Sequence, residues 1–164
     1  ESFTARHRAE RNEYLEDFHR HLSSPTVRGF FAYDVPGWTP DGGLSCSIGA
    51  RIDWDKPVGL ALSLCEPSSW ELERADNLPE LPTGTRKLVH LYTLNHTHGT
   101  GLGQALYESV IYPDENSYLW AMAENERALS FYERLGYRNE GVYFQARGSW
   151  EPGRSVRYTR ILNP

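Results

Sequence analysis

Glycines stand at alternate positions 99, 101 and 103, immediately before an amphipathic stretch. Side chains are thereby stripped from a turn whose backbone N–H groups become accessible, and a helix opening there adds unpaired N–H groups and the positive end of its dipole. That combination suits an anion, above all a phosphate. It is not a P-loop, because no Gly-Lys-Ser/Thr follows, and it is not G-x-G-x-x-G, because position 104 is Gln. His90, His96 and His98 cluster beside it, and three imidazoles could ligate zinc. No Asp, Glu or Cys lies in the same loop and His90 sits among apolar residues, so no metal is expected. A G-x-S-x-G nucleophile motif is missing from the chain.

The elements around the glycines follow from periodicity. Lys87 to Leu94 reads as an apolar strand entering the turn, and Leu102, Ala105, Leu106, Ser109 and Val110 recur at helical spacing beyond it, until Pro113 and Asp114 end the run. Upstream, the spacing of Ala5, Ala9, Tyr14, Leu15, Phe18 and Leu22 predicts an amphipathic helix over about Ala5 to Leu22. Val27 to Val35 is β-prone. Alternation from Cys46 to Trp54, a turn at Asp55-Lys56-Pro57 and the apolar run Val58 to Cys65 predict a β-hairpin. Downstream come a strand at Ser117 to Met122, a helix at Glu126 to Leu135 stopped by Gly136, and strands at Tyr137 to Gln145 and Ser155 to Leu162.

The chain has 164 residues, enough for one domain with its own core, and no repeat or low-complexity tract divides it. A single domain over 1–164 is expected, with a truncated start, since the sequence opens at Glu1. A net charge of -5 argues against nucleic acid as a partner. The late arginines Arg147, Arg154, Arg157 and Arg160 read as a solvated strand face, and Glu66, Glu71, Glu73, Asp76 and Glu80 as an acidic loop able to attract a cationic acceptor. Cys46 and Cys65 are too few for a disulfide scaffold, and the longest apolar run falls far short of the roughly 20 residues that span a membrane. A cytoplasmic protein without a membrane partner is expected.

The second half resembles the GNAT superfamily of acetyl-CoA-dependent N-acetyltransferases. The superfamily's Arg/Gln-x-x-Gly-x-Gly/Ala motif is matched by His98-Gly99-Thr100-Gly101-Leu102-Gly103, and its later motif by Asn125, Ala128, Phe131, Tyr132, Gly136 and Tyr137 with the intervals intact. The resemblance is clear over Lys87 to Gly141 and weak before about Leu44. It implies an α+β fold with a mixed, mostly antiparallel central sheet flanked by helices. It also implies direct acetyl transfer from acetyl-CoA to an amine, on a small molecule or a peptide, with a homodimer as an allowed state.

Site residues carried over by the resemblance follow the motifs. The coenzyme A diphosphate is expected on the N–H groups from Gly99 to Gln104, including Thr100, Gly101, Leu102 and Gly103, with His98 at the phosphate-side position. The pantetheine arm is expected to pair with the backbone of Leu91, Tyr92 and Thr93. Asn125 falls where members contact the cofactor, and it also reads as a helix N-cap. Tyr132 falls where members place a phenol that reprotonates the leaving thiolate.

The general base is not given by the motifs. Strict alternation puts Lys87, Val89, Leu91 and Thr93 on one face and His90 on the other with Leu88 and Tyr92, away from the acceptor unless a bulge shifts the register. On that reading a loop carboxylate such as Glu66 accepts the proton through water. The missing strand carboxylate also keeps open an acyl-CoA binding or sensing domain without transfer activity, or an interaction module built on Phe30 to Trp38.

Overall fold

The computed structural model describes residues 16, 18–34, 52–73, 78–145 and 153–162. Residues 18–22 are helical (α1). They are followed by β1 (Arg28–Tyr33), β2 (Pro57–Leu64), the short α2 (Ser69–Leu72) and β3 (Arg86–Thr93). A 3₁₀ turn (Asn95–Thr97) leads to α3 (Leu102–Val110), and β4 (Ser117–Met122), α4 (Glu126–Arg134), β5 (Arg138–Gln145) and β6 (Arg154–Arg160) complete the order. The elements read from the second half of the sequence recur within a residue or two of their expected bounds. The upstream part of the first helix and the Cys46 to Arg51 part of the hairpin lie outside the described residues.

Among the described residues, six strands form one sheet in the order β1-β2-β3-β4-β6-β5. Of these neighbours β3 and β4 pair in parallel and the others antiparallel. Both edges of β2 are taken, one by β1 and the other by β3. The hairpin expected between Cys46–Trp54 and β2 is therefore corrected: β2 already has its two ladders, and the aromatic segment Arg28–Tyr33 supplies the nearer one.

Helices α3 and α4 cover one face. Leu106, Tyr107 and Val110 of α3 and Tyr132 of α4 pack with Ala61, Leu88, Leu119, Val156 and Tyr158 from the strands and with Tyr137. This side holds the main core, because the apolar stripes of both helices meet the alternate apolar residues of four strands.

A bulge alters the face of β3. Leu64 pairs with Lys87 and Leu62 with His90, whereas Ser63 pairs with Leu88 and Ala61 with Leu91. Opposed residues share a face, so Lys87 and His90 emerge together with Leu62 and Leu64, and Leu88 and Leu91 emerge together on the helix side. The alternation read from the sequence, with His90 beside Leu88, is overturned by the extra residue at Val89. It takes up the register shift between Leu62 and Ser63.

The acidic and basic clusters also differ from expectation. Arg157 is buried and its guanidinium pairs with Glu140 and donates to the Pro79 carbonyl at 2.8 Å. It is not part of a solvated face, because its strand neighbour Trp120 and the loop before Thr85 cover it. Glu71 points inward rather than toward solvent.

Candidate active site

β3 and β4 stay paired for only three residue pairs, from Arg86↔Ser117 to Leu88↔Leu119. Beyond Leu88 the two parallel strands part, while β3 continues to Thr93 against β2 and β4 continues to Met122 against β6. The backbone of Leu91, Tyr92 and Thr93 is thus bonded on one side and faces an opening on the other. An extended amide chain has the length and the hydrogen-bonding groups to fill such a split.

At the wide end of the split the chain turns into α3. Gly99 and Gly101 take φ of +81° and +86°, in the left-handed region where a Cβ is strained. Gly101 is the N-cap of α3 and brings no side chain to it. The Ala105 N–H reaches the Gly101 carbonyl at 3.0 Å and the Leu102 N–H donates to the Thr100 hydroxyl at 3.4 Å, which leaves the N–H groups of the cleft residues Gly103 and Gln104 ahead of the helical ladder.

Between this turn, the end of β3 and α4 lies a cleft of about 700 Å³. Leu91, Tyr92, Thr93, His98, Gly99, Gly101, Gly103, Gln104, Asn125 and Tyr132 all line it, so the structure gathers nearly every residue singled out in the sequence. Thr100 and Leu102 do not line it. The Thr100 hydroxyl donates to the Thr97 carbonyl at 2.7 Å, and Leu102 packs on the core. The Asn125 side chain accepts from the Ala128 N–H at 3.1 Å, which makes it the N-cap of α4 while it remains on the cleft wall. Tyr132 is almost fully buried between the Phe131 and Tyr137 rings. Burial, seconded by the nearby phenols of Tyr92 and Tyr107, pushes its pKa far above the usual tyrosine value, so it holds its proton at neutral pH.

Sequence reasoning missed Arg127, Phe131 and Arg134 as cleft residues. Their i, i+4 and i+7 spacing on α4 was the available signal, since it places them on one helical face with Ala128.

The other face of the split carries His90. Its ring lies 5.8 Å from Phe18 and 6.0 Å from His21 of α1, and stacks on Tyr92 at 5.6 Å. Tyr92 itself lines the cleft, so His90 stands one ring away from it. Farther along the same face, Lys87 and Glu71 form a buried ion pair, and Glu71 also accepts from the Ser68 N–H and the Trp120 indole, each at 2.7 Å. Glu66 is tied down elsewhere: the Thr26 and Ser24 hydroxyls donate to it at 2.6 and 2.7 Å. The Thr26 bond, opposed by burial and helped by Ser24, holds its carboxyl below the usual carboxylate range.

Residues 75–145 match the FR47-like protein family. Comparison with curated proteins finds no match. Among solved structures, Arabidopsis thaliana NAA60 in complex with acetyl-CoA superimposes with a TM-score of 0.56 at 15% identity, over 88% of this chain and 81% of that one. A Desulfovibrio desulfuricans protein assigned to the GNAT family gives a TM-score of 0.53 at 19% identity, over 92% and 80% of the two chains. The chain has the GNAT fold. Within this GNAT fold the parted strands, the glycine turn and the cleft form one continuous surface. No group of metal-ligating side chains occurs among the described residues, and none of their helices is long and apolar enough to cross a membrane.

Proposed function

We propose that the protein transfers an acetyl group from acetyl-CoA to an amine. The observation that carries this reading is the junction of two features in one cleft: a strand edge left open from Leu91 to Thr93, and a glycine-rich helix start at Gly99 to Gln104 whose N-cap brings no side chain. The first suits the amides of a pantetheine arm and the second its diphosphate. Asn125 and His98 flank them. Acetyl-CoA supplies an activated acyl thioester, and the residues of the chain hold it and move protons around it.

His90 is the proposed base, in place of Glu66. An ammonium must lose its proton before it can attack, and the bulge brings an imidazole to the face opposite the cofactor helices. Glu66 suits this work less, since its lowered pKa makes it a weaker proton acceptor and two hydroxyls already occupy it. Tyr132, on the cleft wall, is the proposed acid that returns a proton to the departing sulfur, since its phenol is protonated at neutral pH. The compartment on this reading is the cytoplasm.

Calorimetry with coenzyme A and an assay of thiol release from acetyl-CoA across small amines and peptide N-termini test the proposal. Binding together with amine-dependent thiol release supports transfer. Binding without release on any acceptor favours the sensing domain, and failure to bind overturns both.

A further inference from the structure

Two side chains flank the split on the face turned away from α3 and α4. The seam ends at Leu88↔Leu119, and the pair Lys87↔Tyr118 fixes which residues of β4 share the outer face with Lys87 and His90. Alternation then makes Trp120 the first outward residue of β4 past the seam, as His90 is of β3. An amine that enters the split from this face has an imidazole on one lip and an indole on the other.

Trp120 belongs to a cluster of three rings. Its ring centre lies 5.2 Å from that of Trp70 on α2 and 4.8 Å from that of Phe144 on β5, and Trp70 and Phe144 are 4.5 Å apart. All three are half-buried. Glu71 accepts from the Trp120 indole at 2.7 Å and so holds the ring in place. The charges beside the rings cancel in pairs, Lys87 with Glu71 and Arg157 with Glu140. Those two carboxylates already have cations of the chain, so neither answers the charge of a polycationic acceptor. What this lip offers instead is a fixed aromatic surface.

We infer that the acceptor is a primary amine with an aromatic or large apolar group one or two carbons from its nitrogen, and that Trp120 selects it. The inference rests on the acetyl-transfer reading and names its acceptor class. Paired strands stand about 4.8 Å apart and these two have just parted, so a nitrogen in the split is only a few bond lengths from either lip. The nitrogen lone pair forms the bond to the acetyl carbon, and the carbon–sulfur bond breaks with its electron pair on sulfur. The ammonium proton goes to His90, and the sulfur takes a proton from Tyr132. Trp120 takes no part in these steps and is specificity-determining.

The test measures thiol release from acetyl-CoA with phenethylamine, ethylamine, spermidine and the peptides Phe-Gly and Gly-Gly, as kcat/KM per unprotonated amine. Ring burial should favour phenethylamine over ethylamine, and Phe-Gly over Gly-Gly, about ten- to a hundredfold. Trp120→Ala should remove most of both ratios while the ethylamine value moves only a few fold. Trp120→Phe should keep much of them, and Phe144→Ala, from the neighbouring ring, should remove a part. A purely structural loss would lower every acceptor together and leave the ratios intact. Phe-Gly above phenethylamine supports the inference with a peptide N-terminus as the source, and the reverse order supports it with a small arylalkylamine. Ethylamine or spermidine equal to phenethylamine in the wild-type protein, or unchanged ratios in folded Trp120→Ala, overturns the inference and leaves acetyl transfer standing. Release with none of the amines removes the transfer reading itself, and this inference with it.

Discussion

Lys87 and His90 leave β3 on the same face although an odd number of positions separates them. Leu64 and Leu62, their partners on β2, are two apart, so the ladder absorbs one residue between them. The consequence is a histidine beside Tyr92 at the cleft margin and next to His21 of α1. His90→Gln should therefore lower kcat/KM by roughly 10²–10⁴-fold on an amine acceptor. The wild-type profile should rise and level off once the imidazole has lost its proton, and the variant should keep rising toward the pKa of the acceptor. An unchanged pH profile in the folded variant would remove His90 from the role.

Tyr132→Phe keeps the ring between Phe131 and Tyr137 and deletes only the hydroxyl. Turnover should fall by about 10²–10⁴-fold while coenzyme A affinity moves little. Single-turnover kinetics beside calorimetry separate the two quantities. Full turnover with chemistry rate-limiting would exclude proton donation by Tyr132.

The glycines divide by backbone. Gly101 at φ +86° should lose about 1–2 kcal/mol of stability as Gly101→Ala. Gly103 lies within α3, and a Cβ there would meet only the Phe131 ring at 3.9 Å. Gly103→Val should stay folded yet bind coenzyme A much more weakly, because the added methyl groups enter the cleft. Thermal melts and calorimetry on the two variants check the split, and unchanged affinity in folded Gly103→Val would place the cofactor elsewhere.

The Lys87–Glu71 pair is buried on both sides. Removing one member leaves a charge without its partner, so Lys87→Met or Glu71→Gln should each cost about 3–5 kcal/mol. The double variant should recover part of that loss. Additive losses in denaturant titrations would show that the two side chains act independently.

Glu66 yields a signed acid effect. Its pKa is lowered on folding, chiefly by the Thr26 hydroxyl, so the stability it contributes is present above the ordinary carboxylate range and is lost as pH falls through the folded value. Thr26→Val should shrink the loss of stability on acidification. Parallel acid limbs in the two proteins would refute that assignment.

The second half of the fold was legible because its periods are clean. The i, i+3, i+4 recurrence from Leu102 to Val110 and the apolar run of β4 each admit one element, and Gly136 at φ +90° ends α4 as a residue without a Cβ should. The cleft was legible for the same reason, since backbone N–H groups are bared by glycines that can be counted in the sequence. Strand pairing was not: nothing in Val58 to Leu64 says that its partners are Arg28–Tyr33 and Arg86–Thr93. The bulge at Val89 was equally hidden, because all residues around it are β-prone and the extra one is defined only against β2. Charge was misread where long side chains turn inward, as Arg157 and Glu71 do.

With a seam of three pairs between β3 and β4, the sheet is mechanically two ribbons, β1-β2-β3 and β4-β6-β5, stitched over a short length. A ligand lying in the split becomes a second row of stitches. Its binding energy then doubles as cohesion between the ribbons, about 2.7 kcal/mol at a hundredfold excess over Kd. The amides of Leu91 to Thr93 would feel that cohesion first, so slowed hydrogen exchange there would register the ligand as a tie across the tear rather than as a passenger in a pocket.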